Sequence, residues 1–203
     1  MDKTDVIIAS AARTPIGAFQ GVLSPAAAPQ LGAAAIAGAI ARGGIAAADV
    51  QEVIMGCVLP AGLGQAPARQ AALGAMIPQG VPTTTINKMC GSGMKAIMMA
   101  ADQIRTGDVS VAVAGGLESM SNAPYLLPKA RAGLRMGHAE VLDHMFYDGL
   151  QSPFDGQLMG VFAENTAQKY GFSRGDQDAF ATESTRRALK AIDSGAFAAE
   201  MRR

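Results

Sequence analysis

Tryptophan is absent from the 203-residue sequence and aromatic residues make up only 5% of it, which excludes a core built around large rings. Forty alanines, 24 glycines and 12 methionines stand in their place. That composition implies closely packed helices and short backbone approaches. Net charge is missing too: 17 Lys plus Arg balance 17 Asp plus Glu, with no basic block. The electrostatic footprint of a nucleic-acid or anionic-membrane binder is therefore excluded. The two cysteines, Cys57 and Cys90, have no CxxC spacing and no histidine cluster beside them. Neither a disulfide framework nor a structural zinc site is supported, and a reducing compartment is expected. The first apolar run, residues 6–9, is far shorter than a signal sequence or a membrane span requires, so a cytoplasmic location is expected.

What is present has the rhythm of an α/β fold. Residues 5–10 form a short continuous apolar run that suits a strand covered on both faces. Residues 30–42 are rich in helix formers and closed by Gly43 and Gly44. Residues 50–58 read as a strand and 66–76 as a helix with Pro67 in its first turn. Residues 83–88 are β-branched and extended, 93–105 helical, and 109–114 a strand. This β-α-β-α-β-α-β order predicts a layered α-β-α core with a mostly parallel sheet. A boundary is placed near residue 120, beyond which Pro124, Pro128 and Pro153 and scattered glycines predict an irregular excursion. Two helices follow, residues 159–170 and 173–194. The second opens with Ser173 as N-cap and Asp176 three positions on, and carries an apolar stripe of Ala179, Phe180, Ala188 and Ile192.

Chemistry concentrates around Cys90 in the stretch NKMCGSGMKA. Met94, Ile97, Ala101 and Ile104 fall at helical spacing, so a helix begins just after Cys90 and Met94, Met98 and Met99 are expected in its core. A cysteine at such a turn faces unsatisfied N–H groups, which favour thiolate by roughly 0.3–1 kcal/mol. An ordinary thiol titrating near ~8.5 still needs a base beside it. Gly91 and Gly93 flank Ser92 and are expected to let a substrate carbonyl approach. Cys57 reads as a buried strand cysteine. Glu118 and Asn122 are expected to fix a loop, Glu164 and Asn165 to cap and pack a helix, and His138 and His144 to lie at a surface or interface.

NKMCGSGMKA, followed by AGGLESMSNAPY and LMGVFAENTAQKYGFSRGDQDAFATES, resembles the amino-terminal half of a thiolase, in particular the acetyl-CoA acetyltransferase group. ARTPIG at residues 12–17 and GLGQAPARQ at 62–70 fall in the same order, and the likeness runs from about residue 5 to 195. It implies that the Cys90 thiolate accepts an acyl group from a CoA thioester and passes it to a second CoA thiol or to an acetyl-CoA enolate. The backbone N–H of Cys90 would donate to the oxyanion. It further implies Leu150 and Met159 as residues lining the pantetheine and acyl pocket. Residues 1–120 become the nucleophile-bearing core domain, and 121–203 the start of the loop domain that covers CoA. CoA thioesters would be substrates, with no cofactor and no metal, and the assembly would be a homo-oligomer, a dimer or tetramer.

Three departures qualify the likeness. Leu158 stands where the family usually has His, and Phe162 where it often has Thr, so acyl specificity is expected to differ. Thiolases are about twice as long, and their activating His and second acid/base Cys lie in a carboxy-terminal half. The competing expectation is a noncatalytic half that needs a second polypeptide. A ketoacyl synthase on the same fold is disfavoured by ESMSNAP and AENTAQ.

Overall fold

The computed structural model describes residues 5–201. Helix α1 (Ala28–Gly43), strand β1 (Glu52–Gly56), helix α2 (Pro67–Gly74), strand β2 (Thr83–Ile86), helix α3 (Ser92–Thr106) and strand β3 (Ala112–Gly116) follow one another. The sheet order is β2-β1-β3, with both pairings parallel, as the alternating rhythm requires. The central strand β1 is buried along its whole length. Its period-two alternation sends Val53 and Met55 into a cluster with Ile36, Ala68, Ala71 and Ala72 of α1 and α2. Ile54 points the other way, against Ala96 and Ala100 of α3. The result is the expected α-β-α layering.

Glycine and alanine set the layer spacing. A Cβ on Gly32 would lie 3.1 Å from Ala71 Cβ, and one on Gly74 would lie 2.9 Å from Ala33 Cβ, so α1 and α2 touch almost backbone to backbone. Helix ends follow their sequence signals. Gly44, at φ +63°, closes α1 in the left-handed conformation, Pro67 opens α2, and Gly107, at φ +81°, closes α3.

Past β3 the chain makes short pieces: strand β4 (Tyr125–Leu126) paired antiparallel with β5 (Leu142–Asp143), then a π-helical turn, Met145–Leu150. Helix α4 (Met159–Tyr170) and helix α5 (Arg174–Asp193) complete the order. Ser173 caps α5 as expected: its Oγ accepts from the Asp176 N–H at 3.1 Å, and Asp176 Oδ2 accepts from the Ser173 N–H at 2.9 Å.

Three expectations are corrected. Residues 5–10 are not a strand: Ile7 and Ile8 are 80% and 77% exposed, and the segment finds no sheet edge among the described residues. Its apolar pattern signals burial but names no partner; Ser10 Oγ instead donates to the Ala39 carbonyl of α1 at 2.5 Å. On α3 the buried face is Ser92, Ala96 and Ala100, whereas Met94 is 71% exposed, and Ile97 and Met98 also face outward. Met99 alone of the three methionines packs against the core. The helix lies too close to the sheet for long side chains to fit between. On α5, Phe180 and Ile192 are exposed, and none of the described residues of α4 or α5 is buried. Finally, the segment after α5 is fastened to the body: the Arg13 N–H donates to Glu200 O at 2.9 Å, the Arg13 guanidinium lies 4.6 Å from the Phe197 ring, and Arg42 donates to the Ala199 carbonyl.

The close approach of α3 to the sheet rests on Gly56. A Cβ there would lie 2.5 Å from Ser92 Cβ and 2.7 Å from the Ser92 carbonyl carbon, whereas one on Gly93 would meet nothing nearer than 3.6 Å. Gly56→Ala is expected to cost ~1–3 kcal/mol through overpacking. Gly93→Ala should leave urea-unfolding stability within about 0.5 kcal/mol of the wild type. Paired urea titrations check both.

Candidate active site

Cys90 sits on the turn that joins β2 to α3, and the turn is braced from both ends. Asn87 Oδ1 accepts the Met89 N–H at 2.9 Å. Ser92 Oγ accepts the Lys88 N–H at 2.8 Å and donates to the Met89 carbonyl at 2.5 Å. The Ser92 N–H donates to that same carbonyl at 3.0 Å, and the Gly91 N–H to the Lys88 carbonyl at 3.2 Å. Met89 is driven to φ +48°, a conformation costing a non-glycine residue about 1–2 kcal/mol, and these bonds hold it there. Cys90 is free and exposed, and Gly91 is the helix N-cap. The N–H groups of Cys90, Gly93 and Met94 meet no acceptor among the described residues. An exposed sulfur on a turn with undonated amides is an arrangement that an oxyanion-forming acyl transfer could use.

The glycines divide their work differently from the sequence expectation. Gly91 is open except for the Lys88 carbonyl, 3.5 Å from where its Cβ would be, and so leaves access beside Cys90. Gly93 faces Gly115 and Gly116 at the end of β3, where a Cβ would make only ordinary contact at 3.6 Å or more, so it borders the sheet rather than a substrate approach.

Cys57, the second thiol, ends up in the opposite environment. It is buried beyond β1, its Sγ donates to Glu118 Oε1 at 3.7 Å, and burial together with the nearby Glu118 carboxylate pushes its thiol up to about 12. Glu118 also accepts the Val58 N–H at 2.8 Å and the Leu59 N–H at 3.1 Å. Asn122 Nδ2 donates to the Ser24 and Ala26 carbonyls at 2.9 and 3.0 Å. Both residues fix loops, as their pattern suggested.

His144 is not at the surface: it is 4% exposed. Its Nδ1 lies 2.6 Å from Asp148 Oδ2, and its Nε2 accepts the Ala61 N–H at 3.4 Å, so both ring nitrogens are occupied and neither is offered to a substrate. His138 lies exposed in the excursion. Glu164 and Asn165 are exposed in mid-α4 and cap nothing. Leu150 ends the π-helical turn and Met159 begins α4, each next to one partner of the antiparallel Gln151–Leu158 bridge. They lie on the excursion side and belong to neither core cluster. A cleft of about 450 Å³ lies between α1 and α2, and one of about 150 Å³ beside Arg13, Gly116 and Glu118; Cys90, Leu150 and Met159 line neither. Among the described residues no cluster of three or more His, Cys, Asp or Glu could hold a metal, and no helix is long and apolar enough to cross a membrane.

Gly56 and Ser92, which set the turn's height above the sheet, were not singled out in the sequence. The available signal was a glycine closing a β-branched run, which marks close backbone approach. The contrast between the thiols is directly measurable. Iodoacetamide at pH 8 should modify Cys90 and leave Cys57 intact until the chain unfolds, as read by peptide mass. Because the folded Cys57 thiol titrates at about 12 rather than its ordinary 9.0, unfolding free energy should hold up to about pH 9 and fall as the pH rises toward 12; Cys57→Ala should flatten that fall.

Comparison with known proteins coincides with this geometry. The family model described as thiolase, N-terminal domain, matches residues 6–202. The chain is 53% identical over 197 residues to acetyl-CoA acetyltransferase of Pseudomonas aeruginosa, covering 97% of this chain and 50% of the relative. It is 51% identical over 198 residues to that of Cupriavidus necator, covering 98% and 50%. It is also 51% identical over 197 residues to the mitochondrial acetyl-CoA acetyltransferase A of Xenopus laevis, covering 97% and 46%. The chain thus spans about half the length of the curated relatives it matches. With nearly every residue inside the matched domain and about half of the aligned positions identical, this protein belongs to the thiolase family, whose amino-terminal domain it carries.

Proposed function

We propose that the chain takes part in acyl transfer between CoA thioesters, with Cys90 as the residue that becomes acylated. The observation carrying this reading is an exposed thiol held at the start of α3 beside amides without acceptors, inside a thiolase domain. The Cys90 thiolate attacks the carbonyl of an acyl-CoA or the 3-keto carbonyl of a 3-ketoacyl-CoA, and the tetrahedral oxyanion takes hydrogen bonds from backbone N–H groups. Collapse expels the CoA thiolate, or an acetyl-CoA enolate that is then protonated, and leaves the acyl group on sulfur. A second CoA thiol or an acetyl-CoA enolate then removes it and regenerates the thiolate. Splitting one carbon–carbon bond exchange into two acyl exchanges is what covalent catalysis supplies.

The chemistry draws on no cofactor. Leu150 and Met159, the residues that flank the Gln151–Leu158 bridge, line the acyl and pantetheine path in this reading. With Leu158 and Phe162 partly apolar additions to the same region, acyl groups other than acetoacetyl are accommodated. A cytoplasmic homo-oligomer is part of the proposal.

Incubating the chain with acetoacetyl-CoA and mapping adducts by peptide mass should place an acetyl group on Cys90, and Cys90→Ala should abolish it. An unmodified chain under conditions that acylate a full-length relative excludes autonomous chemistry. A second reading, a noncatalytic half that requires another polypeptide, draws on the outward Met94, Ile97 and Met98 of α3 and on the absence of buried residues in α4 and α5. Light scattering after size exclusion should then show association together with apolar-dye binding; a dye-silent monomer rules that reading out.

A further inference from the structure

We infer that Ser92 and Asn87 are positioning residues for the Cys90 thiol, acting as a two-sided clamp on the turn that carries it. The inference rests on the acyl-transfer reading of Cys90 and names what sets the sulfur's place. Ser92 is buried, yet its hydroxyl is turned back out of α3 to take the Lys88 N–H and give its proton to the Met89 carbonyl. A serine in the first helical turn commonly bonds forward to helix amides or to solvent. This one instead closes the four residues before it into a ring. Asn87 grips the same residue, Met89, from its other end through the Met89 N–H. Between them both polar groups of Met89 are bonded, and this is the residue held at φ +48°. Without those bonds nothing recommends that conformation for a methionine, and the peptide that leads into Cys90 is free to rotate.

The clamp is also tied to the sheet. Ser92 rests on Gly56, where even a single methyl group would collide with its Cβ. The distance from β1 to the turn is thereby fixed, and Cys90 follows one residue after the clamped peptide. The Ser92 hydroxyl has a donor and an acceptor and so offers no free group to substrate, and the Asn87 Nδ2 faces the Val58 carbonyl at 3.5 Å. Their influence on the reaction is transmitted through the backbone to the sulfur.

A positioning role separates reactions that need an aimed sulfur from reactions that need only an accessible one. Ser92→Ala, Ser92→Thr and Asn87→Ala are compared with the wild type for acylation of Cys90 by acetoacetyl-CoA, alkylation of Cys90 by iodoacetamide, thermal midpoint, and amide exchange at Lys88 and Met89. Misplacement of a reacting atom by about 1 Å costs roughly 10²-fold. The expected result is acylation slowed by about tenfold or more in Ser92→Ala and Asn87→Ala, with alkylation changed by less than about threefold. Ser92→Thr, which keeps the hydroxyl, should recover acylation. Asn87 is exposed, so its variant reports even if Ser92→Ala destabilises the chain. Equal acylation in all variants overturns the clamp. So does a parallel fall of acylation, alkylation and thermal midpoint, which marks a merely structural role. If the wild type is not acylated at all, the acyl-transfer reading fails by itself. The clamp is then decided by exchange: faster exchange confined to Lys88 and Met89 upholds it, and unchanged protection there overturns it.

Discussion

The end of β1 meeting the start of α3 is the contact on which the rest of the site depends. Gly56, Gly93 and Gly116 converge there: a Cβ on Gly56 would strike Ser92, and one on Gly116 would meet the Gly56 carbonyl at 3.5 Å and the Gly93 Cα at 3.7 Å. In a parallel sheet the helix that follows a strand is normally held off by bulky side chains. Here the first helical turn descends onto bare backbone, and the turn carrying Cys90 is held at the carboxyl end of the sheet. Helix packing farther along obeys the same constraint, with Ala96 and Ala100 as the residues between α3 and Ile54.

That constraint also explains what was legible in the sequence. Element order, the parallel sheet, the helix ends at Gly44 and Gly107 and the Ser173–Asp176 cap all rest on local signals, and local signals were readable. The inward face of α3 was not. Periodicity picks out the largest apolar residues, Met94 and Ile97, yet the spacing set by Gly56 admits only the smallest ones, and that distance is a property of two elements together. Residues 5–10 failed for a related reason: an apolar run announces a wish for cover without saying which edge will supply it.

In the site itself, Cys90 was identifiable from its neighbours, and Cys57 from its strand. Their divergence is the work of surroundings brought from far along the chain. Burial, helped by Glu118 some 60 residues away, holds the Cys57 sulfur in its neutral form, while the other stands in the open at a turn. His144 illustrates the reverse error. A histidine among mixed charged and apolar residues reads as a surface group, and only the fold shows Asp148 and the Ala61 amide closing over it. Leu150 and Met159 were paired by resemblance alone; the structure adds only that each adjoins one end of the short Gln151–Leu158 bridge.

The excursion after β3 meets the core at the segment leaving β1, besides the Asn122 bonds to the Ser24 and Ala26 carbonyls. Beyond the Ala61–His144 hydrogen bond, a Cβ on Gly149 would touch Leu59 at 3.3 Å, and one on Gly62 would touch Pro124 at 3.5 Å. These three joints all fall on the six residues that leave β1, the strand beneath the thiol. Anyone exchanging this segment between relatives should therefore move residues 59–62 with it as one cassette; a graft cut between them would leave an imidazole facing a foreign loop.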